Sequence, residues 1–258
     1  MGKYDNYRKL ANVPETVLPK ESSELDDFNW FGYQSTAPKE VFVPNHISVI
    51  NAGAETSEQR KLRMLQQLSL TCTACSMCEL GLKGAERNNE IRDPHVFSNM
   101  NPSRFIVVGQ NPGWNELKQQ EPFVGAAGKN FDTEIQKHGL DRSYFYISNT
   151  VRCHTKDNQK PTQRHMDRCE PFLRMEIGLL KPVLVITLGA VAFAQLCPDS
   201  VYSKSLRTIV KSQKFGVPVL AVYHPSPMNF RGEHRKQAFE KQIQLLCALV
   251  KRLVEKPK

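Results

Sequence analysis

The chain has 258 residues, of which 40% are hydrophobic and 24% charged, and its formal net charge is +9. Such a composition is typical of one or two folded domains that need no disulfides. The absence of an apolar run of about 18 residues excludes a transmembrane helix, and the polar start Met1-Gly2-Lys3 predicts no secretory leader. We therefore expect a soluble intracellular protein with reduced cysteines and no membrane partner.

The charge is unevenly distributed along the chain. Residues 1–60 are acidic overall, and the remainder carries the whole basic excess. A basic body favours a polyanionic partner such as a nucleic acid, because phosphate contacts release counterions. A charged surface that keeps the protein in solution explains the composition equally well.

The first 55 residues form an extension without sustained periodicity. They contain four prolines, an acidic run over 21–27 and an aromatic cluster, Phe28-Asn29-Trp30-Phe31-Gly32-Tyr33. This pattern predicts a partly disordered segment whose apolar patch packs on the body or binds a protein partner. Residues 56–258 are expected to form the catalytic or binding domain.

The body alternates short apolar runs with amphipathic stretches. Strands are predicted at 105–108, 144–147, 182–189 and 217–223, and helices at 57–68, 130–139, 166–180 and 233–255. Fully apolar strands separated by helices indicate a parallel sheet covered on both faces. We predict a three-layer α/β/α fold with a central, mainly parallel four-stranded sheet, whose ligands bind beyond the carboxyl ends of the strands.

Cysteines form a candidate metal site. Cys75-Ser76-Met77-Cys78 has a two-residue spacing that lets both thiolates bind one centre, and Cys153 and Cys169 flank a second loop. Four thiolates suit a tetrahedral zinc or an iron–sulfur cluster. Cys72 offers a competing pair with Cys75, so the spacing alone leaves the ligand set open. Buried apolar thiols are the alternative, which fits the apolar context of the two remaining cysteines, Cys197 and Cys247.

The first predicted strand ends in the turn Gly109-Gln110-Asn111-Pro112-Gly113. Its glycines allow a ligand to approach the backbone closely, and its two amides are able to hydrogen bond there. The next segment, 122–129, places Phe123 among small residues, as a stacking surface requires. A structural turn and an ordinary core ring are the simpler interpretations.

Two further loops carry polar groups at strand ends. Asn149 follows the second strand, and its amide both donates and accepts, as reading the edge of a nucleobase requires. His224 begins the loop after the last strand, with Met228 and Phe230 expected at the tip beside Arg231. Apolar tip residues next to a cation are typical of a wedge that enters a base stack. A proline-rich surface turn with a core histidine is the alternative.

Taken in order, these motifs resemble the uracil-DNA glycosylase superfamily, and most closely its iron–sulfur family 4. The resemblance covers roughly residues 62–250. It rests on Cys75-x-x-Cys78-Glu79-Leu80, Pro122-Phe123-Val124-Gly125-x-Ala127-Gly128, Ser148-Asn149-Thr150-Val151-Arg152-Cys153, the spacing to Cys169, Leu188-Gly189-x-x-Ala192 and His224-Pro225-Ser226.

The resemblance implies a role for each matching position. A [4Fe–4S] cluster would bind to Cys75, Cys78, Cys153 and Cys169, leaving Cys72 out. Phe123 would stack on a flipped base lined by Gly109 and Gly113, Asn149 would bond the uracil edge and reject cytosine, and His224 would stabilise the departing base. Ser226, Met228 and Arg231 would contact DNA.

The first motif departs from the family pattern. Family 4 usually reads Gly-Glu-x-Pro-Gly, whereas this chain has Gln110 in place of the acidic residue. Gln110-Asn111 resembles the mismatch-specific and single-strand-selective glycosylases, in which an asparagine positions water. An amide orients water but is no general base, so we predict slower turnover. Glu116 is the candidate to supply a carboxylate in its place.

The sequence therefore predicts a monomeric, monofunctional glycosylase that removes uracil or a related base from DNA. A non-catalytic iron–sulfur protein that binds DNA and recruits partners through residues 1–55 is the first alternative. A structural zinc module is the second.

Overall fold

The computed structural model describes residues 56–73 and 95–255. The predicted extension over 1–55, with its aromatic cluster, and the pair Cys75 and Cys78 lie outside these ranges. None of the helices within them is both long and apolar enough to cross a membrane.

The described strands form one five-stranded sheet in the order β2-β1-β3-β5-β4. The strands are β1 (Phe105–Gly109), β2 (Tyr146–Asn149), β3 (Leu184–Leu188), β4 (Ile209–Lys211) and β5 (Pro218–Val222). All neighbouring pairs are parallel except β4 and β5, which are antiparallel. The fold-class prediction is confirmed, and the sheet has one strand more than the four predicted.

Helices cover both faces of the sheet. They are α1 (Ser57–Thr73), α2 (Trp114–Gln119), α3 (Ala126–Lys137), α4 (Gln163–Leu180), α5 (Ala190–Leu196), α6 (Tyr202–Ser205) and α7 (Glu233–Glu255). Helices α3 and α7 supply apolar side chains to one core, and α1, α4 and α5 supply the other. The three layers follow because the central strands β1, β3 and β5 carry apolar side chains on both of their faces.

Strand β1 shows how the sequence produces this arrangement. Phe105 and Val107 belong to the core beneath α3 and α7, whereas Ile106 and Val108 belong to the core on the opposite face. Successive side chains of a strand point to opposite faces, so a continuous apolar run fills two cores at once.

Most predicted elements are present with small shifts at their ends. Helix α7 has the predicted bounds, and Gly139, with φ of 69°, follows α3 in the left-handed conformation expected at that position. Strand β2 begins two residues later than predicted, because Arg142–Tyr144 forms a short 3-10 helix. Strand β4 was missed, since three half-exposed or exposed residues leave no hydrophobic pattern.

Candidate active site

The loops that follow β1, β2 and β5 lie together at one edge of the sheet. Beyond the end of the ladder, Thr150 N donates to Gly109 O at 2.9 Å and Val151 N donates to Gln110 O at 3.0 Å. Helix α3 fastens the third loop, because Asn130 Nδ2 donates to Pro225 O at 2.8 Å. The structure therefore brings the polar motifs together at the carboxyl ends of parallel strands, where such folds bind ligands.

Gly109, Phe123 and Asn149 lie in direct proximity. A Cβ atom at Gly109 would collide with Phe123 Cζ and would lie 2.5 Å from Asn149 Oδ1. Only glycine is compatible with this approach of an aromatic ring and an amide to the end of β1. Phe123 is also part of the core beneath α3, as the simpler interpretation of this ring expected.

The Asn149 side chain is buried without hydrogen bonds. It is 1% exposed, and neither its Nδ2 nor its Oδ1 has a partner among the described residues. An unsatisfied buried amide costs roughly 1–3 kcal/mol. A side chain in this state beside an aromatic ring is suited to a planar ligand that both donates and accepts.

The Gln110-Asn111 pair has the opposite character, because its amides are engaged within the protein. Gln110 Nε2 donates to Asn111 Oδ1 at 2.9 Å. Asn111 Nδ2 lies 3.2 Å from Thr155 Oγ1 and 3.3 Å from Asn158 Oδ1, both acceptors in the loop after β2. Asn111 therefore joins two of the loops that form the site.

Gly113 and Glu116 lie at the start of α2, beside the loop that contains Phe123. Glu116 Oε1 accepts a hydrogen bond from Gly125 N at 2.7 Å, and a Cβ atom at Gly113 would lie 2.6 Å from Glu116 Oε2. The carboxylate thus fastens the turn after Phe123. These contacts support a role for Glu116 in positioning that turn. The sequence alone did not distinguish this role from that of a general base.

His224 lies half-buried at the start of the loop after β5. Burial lowers the pKa of its imidazole below the ordinary value, so the ring is neutral at pH 7. Gly189, with φ of +94°, allows the close approach of this ring: a Cβ atom there would lie 3.0 Å from His224 Cβ. The Leu188-Gly189 motif therefore faces the histidine across neighbouring strands.

Two apolar residues of this loop, Met228 and Phe230, differ in exposure. Met228 is 72% exposed, whereas Phe230 is half-buried against Phe239, with ring centroids 5.1 Å apart. The expectation that Phe230 shares the tip is therefore wrong, because the ring completes the core under α7. Ser226 accepts a backbone hydrogen bond from Asn229 within the turn, and Arg231 is exposed.

The described cysteines fall into distinct environments. Cys153 and Cys169 are buried in one small cluster with Val151 and Met166. Cys72 packs in a different cluster with Leu68, Phe97 and Phe172. Cys197 and Cys247 lie in the two main cores, where burial raises the pKa of each thiol to about 11, as expected of apolar structural cysteines.

The pairing of Cys153 with Cys169 fits half of a four-thiolate site. Within 56–73 and 95–255, no group of three or more His, Cys, Asp or Glu side chains is arranged to hold a metal ion. The other two predicted ligands, Cys75 and Cys78, lie outside those ranges. A positive group lies beside Cys169, because Arg152 Nη1 donates to Cys169 O at 3.2 Å.

A buried ionic network includes the residues that directly precede Asn149 and Cys153 in the chain, Ser148 and Arg152. Arg152 Nη2 and Glu176 Oε2 are 2.5 Å apart, and both side chains are fully buried. Glu176 also accepts from Tyr146 Oη and Ser148 Oγ at 3.0 Å. Burial raises the pKa of the Glu176 carboxyl, and Arg152 opposes that shift. The network fixes the end of β2 on helix α4.

Two aromatic residues at the rim were missed by the sequence reasoning. Trp114 is 39% exposed and packs edge-on against His154, with ring centroids 6.0 Å apart. His154 Nδ1 lies 2.8 Å from Pro112 O. The sequence offered only one hint of this packing, because Trp114 directly follows the glycine of the first motif.

Comparison with known proteins identifies the family. The family described as the Uracil DNA glycosylase superfamily matches residues 96–247, which is more than half of the chain. The chain belongs to this superfamily. The match includes all five strands of the sheet and every described residue predicted to line the site.

Several relatives of the chain are type-4 uracil-DNA glycosylases. The Sulfurisphaera tokodaii protein is 30% identical over 160 residues, covering 58% of this chain and 73% of the relative. Those of Archaeoglobus fulgidus and Thermotoga maritima are each 29% identical, covering 52% and 63% of this chain and 71% and 82% of the relatives. The predicted resemblance to family 4 is confirmed.

Proposed function

We propose that this chain is a monofunctional uracil-DNA glycosylase, which flips uracil from DNA and hydrolyses its N-glycosidic bond. The observation that carries the proposal is the buried, unpartnered amide of Asn149 beside the Phe123 ring. Residues 56–258 constitute the catalytic domain, and uracil-containing DNA is the substrate.

Base selection follows from hydrogen-bond chemistry at Asn149. Uracil offers a carbonyl acceptor next to an N–H donor, which matches the amide's Nδ2 donor and Oδ1 acceptor. Cytosine presents a donor and an acceptor in the opposite order, so it would leave both amide atoms unsatisfied or opposed. Because the side chain is buried and packed against Gly109, the mismatched base is rejected rather than accommodated.

His224 stabilises the departing base. Cleavage of the bond builds positive charge on the sugar and negative charge on the uracil, and donors aimed at the base lower that barrier. The low pKa of His224 leaves a neutral imidazole that donates one N–H without carrying a charge into the pocket. DNA phosphates favour the cationic sugar.

The residues proposed to activate water are less suited to their role than those proposed to bind the base. Asn111, assisted by Gln110, orients water through the remaining lone pair of its Oδ1 and accepts no proton from it. No carboxylate is present at these two positions, so proton transfer receives little help and turnover is slow.

The DNA contacts come from the loop after β5. Met228 enters the base stack as the flipped nucleotide leaves it, and Arg231 and Ser226 contact the backbone. The net charge of +9 adds a sequence-independent attraction for phosphates.

The proposed cofactor is a [4Fe–4S] cluster held by Cys75, Cys78, Cys153 and Cys169. When bound, it supplies a rigid thiolate cross-link rather than a reactive group. Cys153 and the Arg152–Glu176 pair connect that cross-link to β2, so the residues of this chain transmit its rigidity to Asn149.

A spectrum and a folding measurement test this structural role. The purified protein should absorb at about 400 nm, and Cys153→Ser should lose that band together with folded structure. A Cys153→Ser variant that remains folded and active would refute the structural role. Cys197→Ser is the matched control, since that buried thiol lies in an apolar core and should leave the band intact.

The function itself is tested by base release. Oligonucleotides with one uracil, single-stranded or paired with guanine, are incubated with the protein and abasic sites are scored by alkali cleavage. We expect release from uracil but not from thymine or cytosine, and no strand cleavage before alkali. Release that is equal for cytosine would contradict the assignment of Asn149.

A second candidate is a non-catalytic member of the superfamily that binds DNA. The observation that favours it is the engagement of Asn111 by Thr155 and Asn158, with no acidic residue at Gln110. Folded protein that binds DNA but releases no uracil would support this candidate. Residues 1–55 would then be the segment that binds a protein partner, and deleting them should abolish that recruitment but leave DNA affinity unchanged.

A further inference from the structure

We infer that Arg142 is a positioning residue that fixes the Phe123 ring against the base pocket. The inference rests on the proposed function, in which that ring stacks on the flipped base. It concerns a part of the site that none of the sequence motifs contains.

Phe123 has a backbone conformation that needs external support. Its φ is 55°, in the left-handed region that a residue with a Cβ atom rarely adopts. The ring is nevertheless buried and reaches the end of β1 at Gly109. Without other contacts, the loop would relax and the ring would leave the pocket.

Arg142 supplies the support directly. Its Nη1 donates to Phe123 O at 2.6 Å, and its Nη2 donates to Pro122 O at 2.5 Å. A planar guanidinium spans two consecutive carbonyls in this way, whereas a lysine ammonium offers no fixed fork. Asp132 Oδ2 lies 3.0 Å from Nη1 and Glu121 Oε1 lies 3.5 Å from Nη2, so two carboxylates hold the fork in place.

Neighbouring contacts also fix the position of Phe123 relative to α3 and β2. A Cβ atom at Gly128 would overlap the Phe123 carbonyl, so that carbonyl packs directly on the first turn of α3. Arg142 begins the short 3-10 helix Arg142–Tyr144 that leads into β2, and β2 ends at Asn149. The arginine therefore ties the stacking ring to the strand that carries the base-reading amide.

The first test compares Arg142→Gln with Arg104→Gln. Glutamine retains one donor group at most, so single-turnover uracil release should fall roughly 10- to 100-fold, as expected when a reacting group is misplaced by about 1 Å. DNA affinity should change by less than about threefold, with an unchanged salt dependence. Arg104 is the matched control, because it is exposed and its Nε donates to one carbonyl, Lys181 O, at 3.4 Å.

A double-mutant cycle distinguishes positioning from other roles. In a Phe123→Ala background, Arg142→Gln should cause little further loss, since the ring through which it acts is absent. An undiminished further loss would overturn the inference. A reduced salt dependence of DNA binding in Arg142→Gln would also overturn it, by indicating a phosphate contact.

Crystal structures provide a readout that does not depend on activity. The φ angle of Phe123 should leave the left-handed region in Arg142→Gln and remain there in Arg104→Gln. An unchanged Phe123 in a folded Arg142→Gln protein refutes the inference, even if the wild type releases no uracil and the proposed function has failed. If Arg142→Gln does not fold, Arg142→Lys, which keeps the charge, replaces it in the comparison. The φ angle of Phe123 should shift in the same direction in Arg142→Lys, but by less.

Discussion

Two asparagines lie at the carboxyl ends of neighbouring strands of the sheet, and their amides have opposite surroundings. Asn149 ends β2, is buried, and has no hydrogen-bond partner among the described residues. Asn111 follows β1, and its amide contacts Gln110, Thr155 and Asn158. The Asn149 amide is available for a ligand, whereas the Asn111 amide links the loops that follow β1 and β2.

The difference separates recognition from hydrolysis. A buried unsatisfied amide costs free energy in the folded protein, so it is expected where a bound base completes its hydrogen bonds. An amide that already makes several bonds gains less from a water molecule. Under the proposed function, the site is therefore built more completely for selecting uracil than for activating water, which predicts selective but slow base release.

The largest expected effect is that of Asn149→Ala. Uracil release should fall at least about 10³-fold, because the substitution removes the groups that, in the proposed function, bond the base in the transition state. Affinity for undamaged DNA should stay near that of the wild type, and single-turnover release with parallel binding assays measures both. Asn101→Ala is the control: Asn101 Nδ2 donates to Phe145 O at 3.1 Å, before β2 begins, and its removal should leave base selection intact.

A gain of activity is expected from Gln110→Glu. The substitution restores a carboxylate beside the water position, and general-base assistance should raise single-turnover release by about tenfold or more. The new carboxylate also accepts from Asn111 Nδ2 and so reorients that amide. A loss of activity in a folded variant would indicate that Gln110 has a role that only an amide performs.

A smaller loss is expected from Asn111→Ala. In the proposed function this amide orients water but takes no proton, so release should fall about three- to tenfold, far less than for Asn149→Ala. Thr155→Val removes one acceptor and should change the rate less again. Turnover that is untouched in Asn111→Ala would show that the assignment of this residue to water is wrong.

The smallest effect concerns pH and His224. Burial lowers the pKa of its imidazole below the ordinary 6.5, so in acid the unfolded chain takes up this proton before the folded protein does. Its contribution to stability is therefore present above 6.5 and lost as the pH falls towards the folded pKa. Between about pH 7.5 and about pH 5.5, His224→Asn should lose about 1–3 °C less in Tm than the wild type. An equal loss in both proteins would contradict the assigned shift.

Much of the fold followed from the sequence because the strands are apolar on both faces. The run Phe105-Ile106-Val107-Val108 predicted a buried parallel strand, and the alternation of its side chains between two cores confirms it. Strand β4 has no such run, and its position is set by pairing with β5 rather than by burial. Periodicity could not reveal it.

The sequence motifs proposed members of the site but could not indicate the contacts that these residues make. Asn149 and Phe123 were found from motifs, yet nothing in the motifs shows that one amide is unpartnered and the other engaged. Arg142 lies 19 positions from Phe123 and 20 from Pro122 in a segment that resembles no motif, and its role depends on a positive φ that sequence does not encode for a phenylalanine. Such contacts arise from tertiary packing.

The most direct test is a crystal structure with DNA that contains 2′-fluoro-2′-deoxyuridine, whose glycosidic bond resists cleavage. We predict that the uracil lies flipped against the Phe123 ring, with Asn149 Nδ2 and Oδ1 both hydrogen bonded to its edge and Asn111 still bonded to Thr155. A uracil that remains stacked in the DNA, or that bonds to other residues while the Asn149 amide stays unpartnered, would contradict the account.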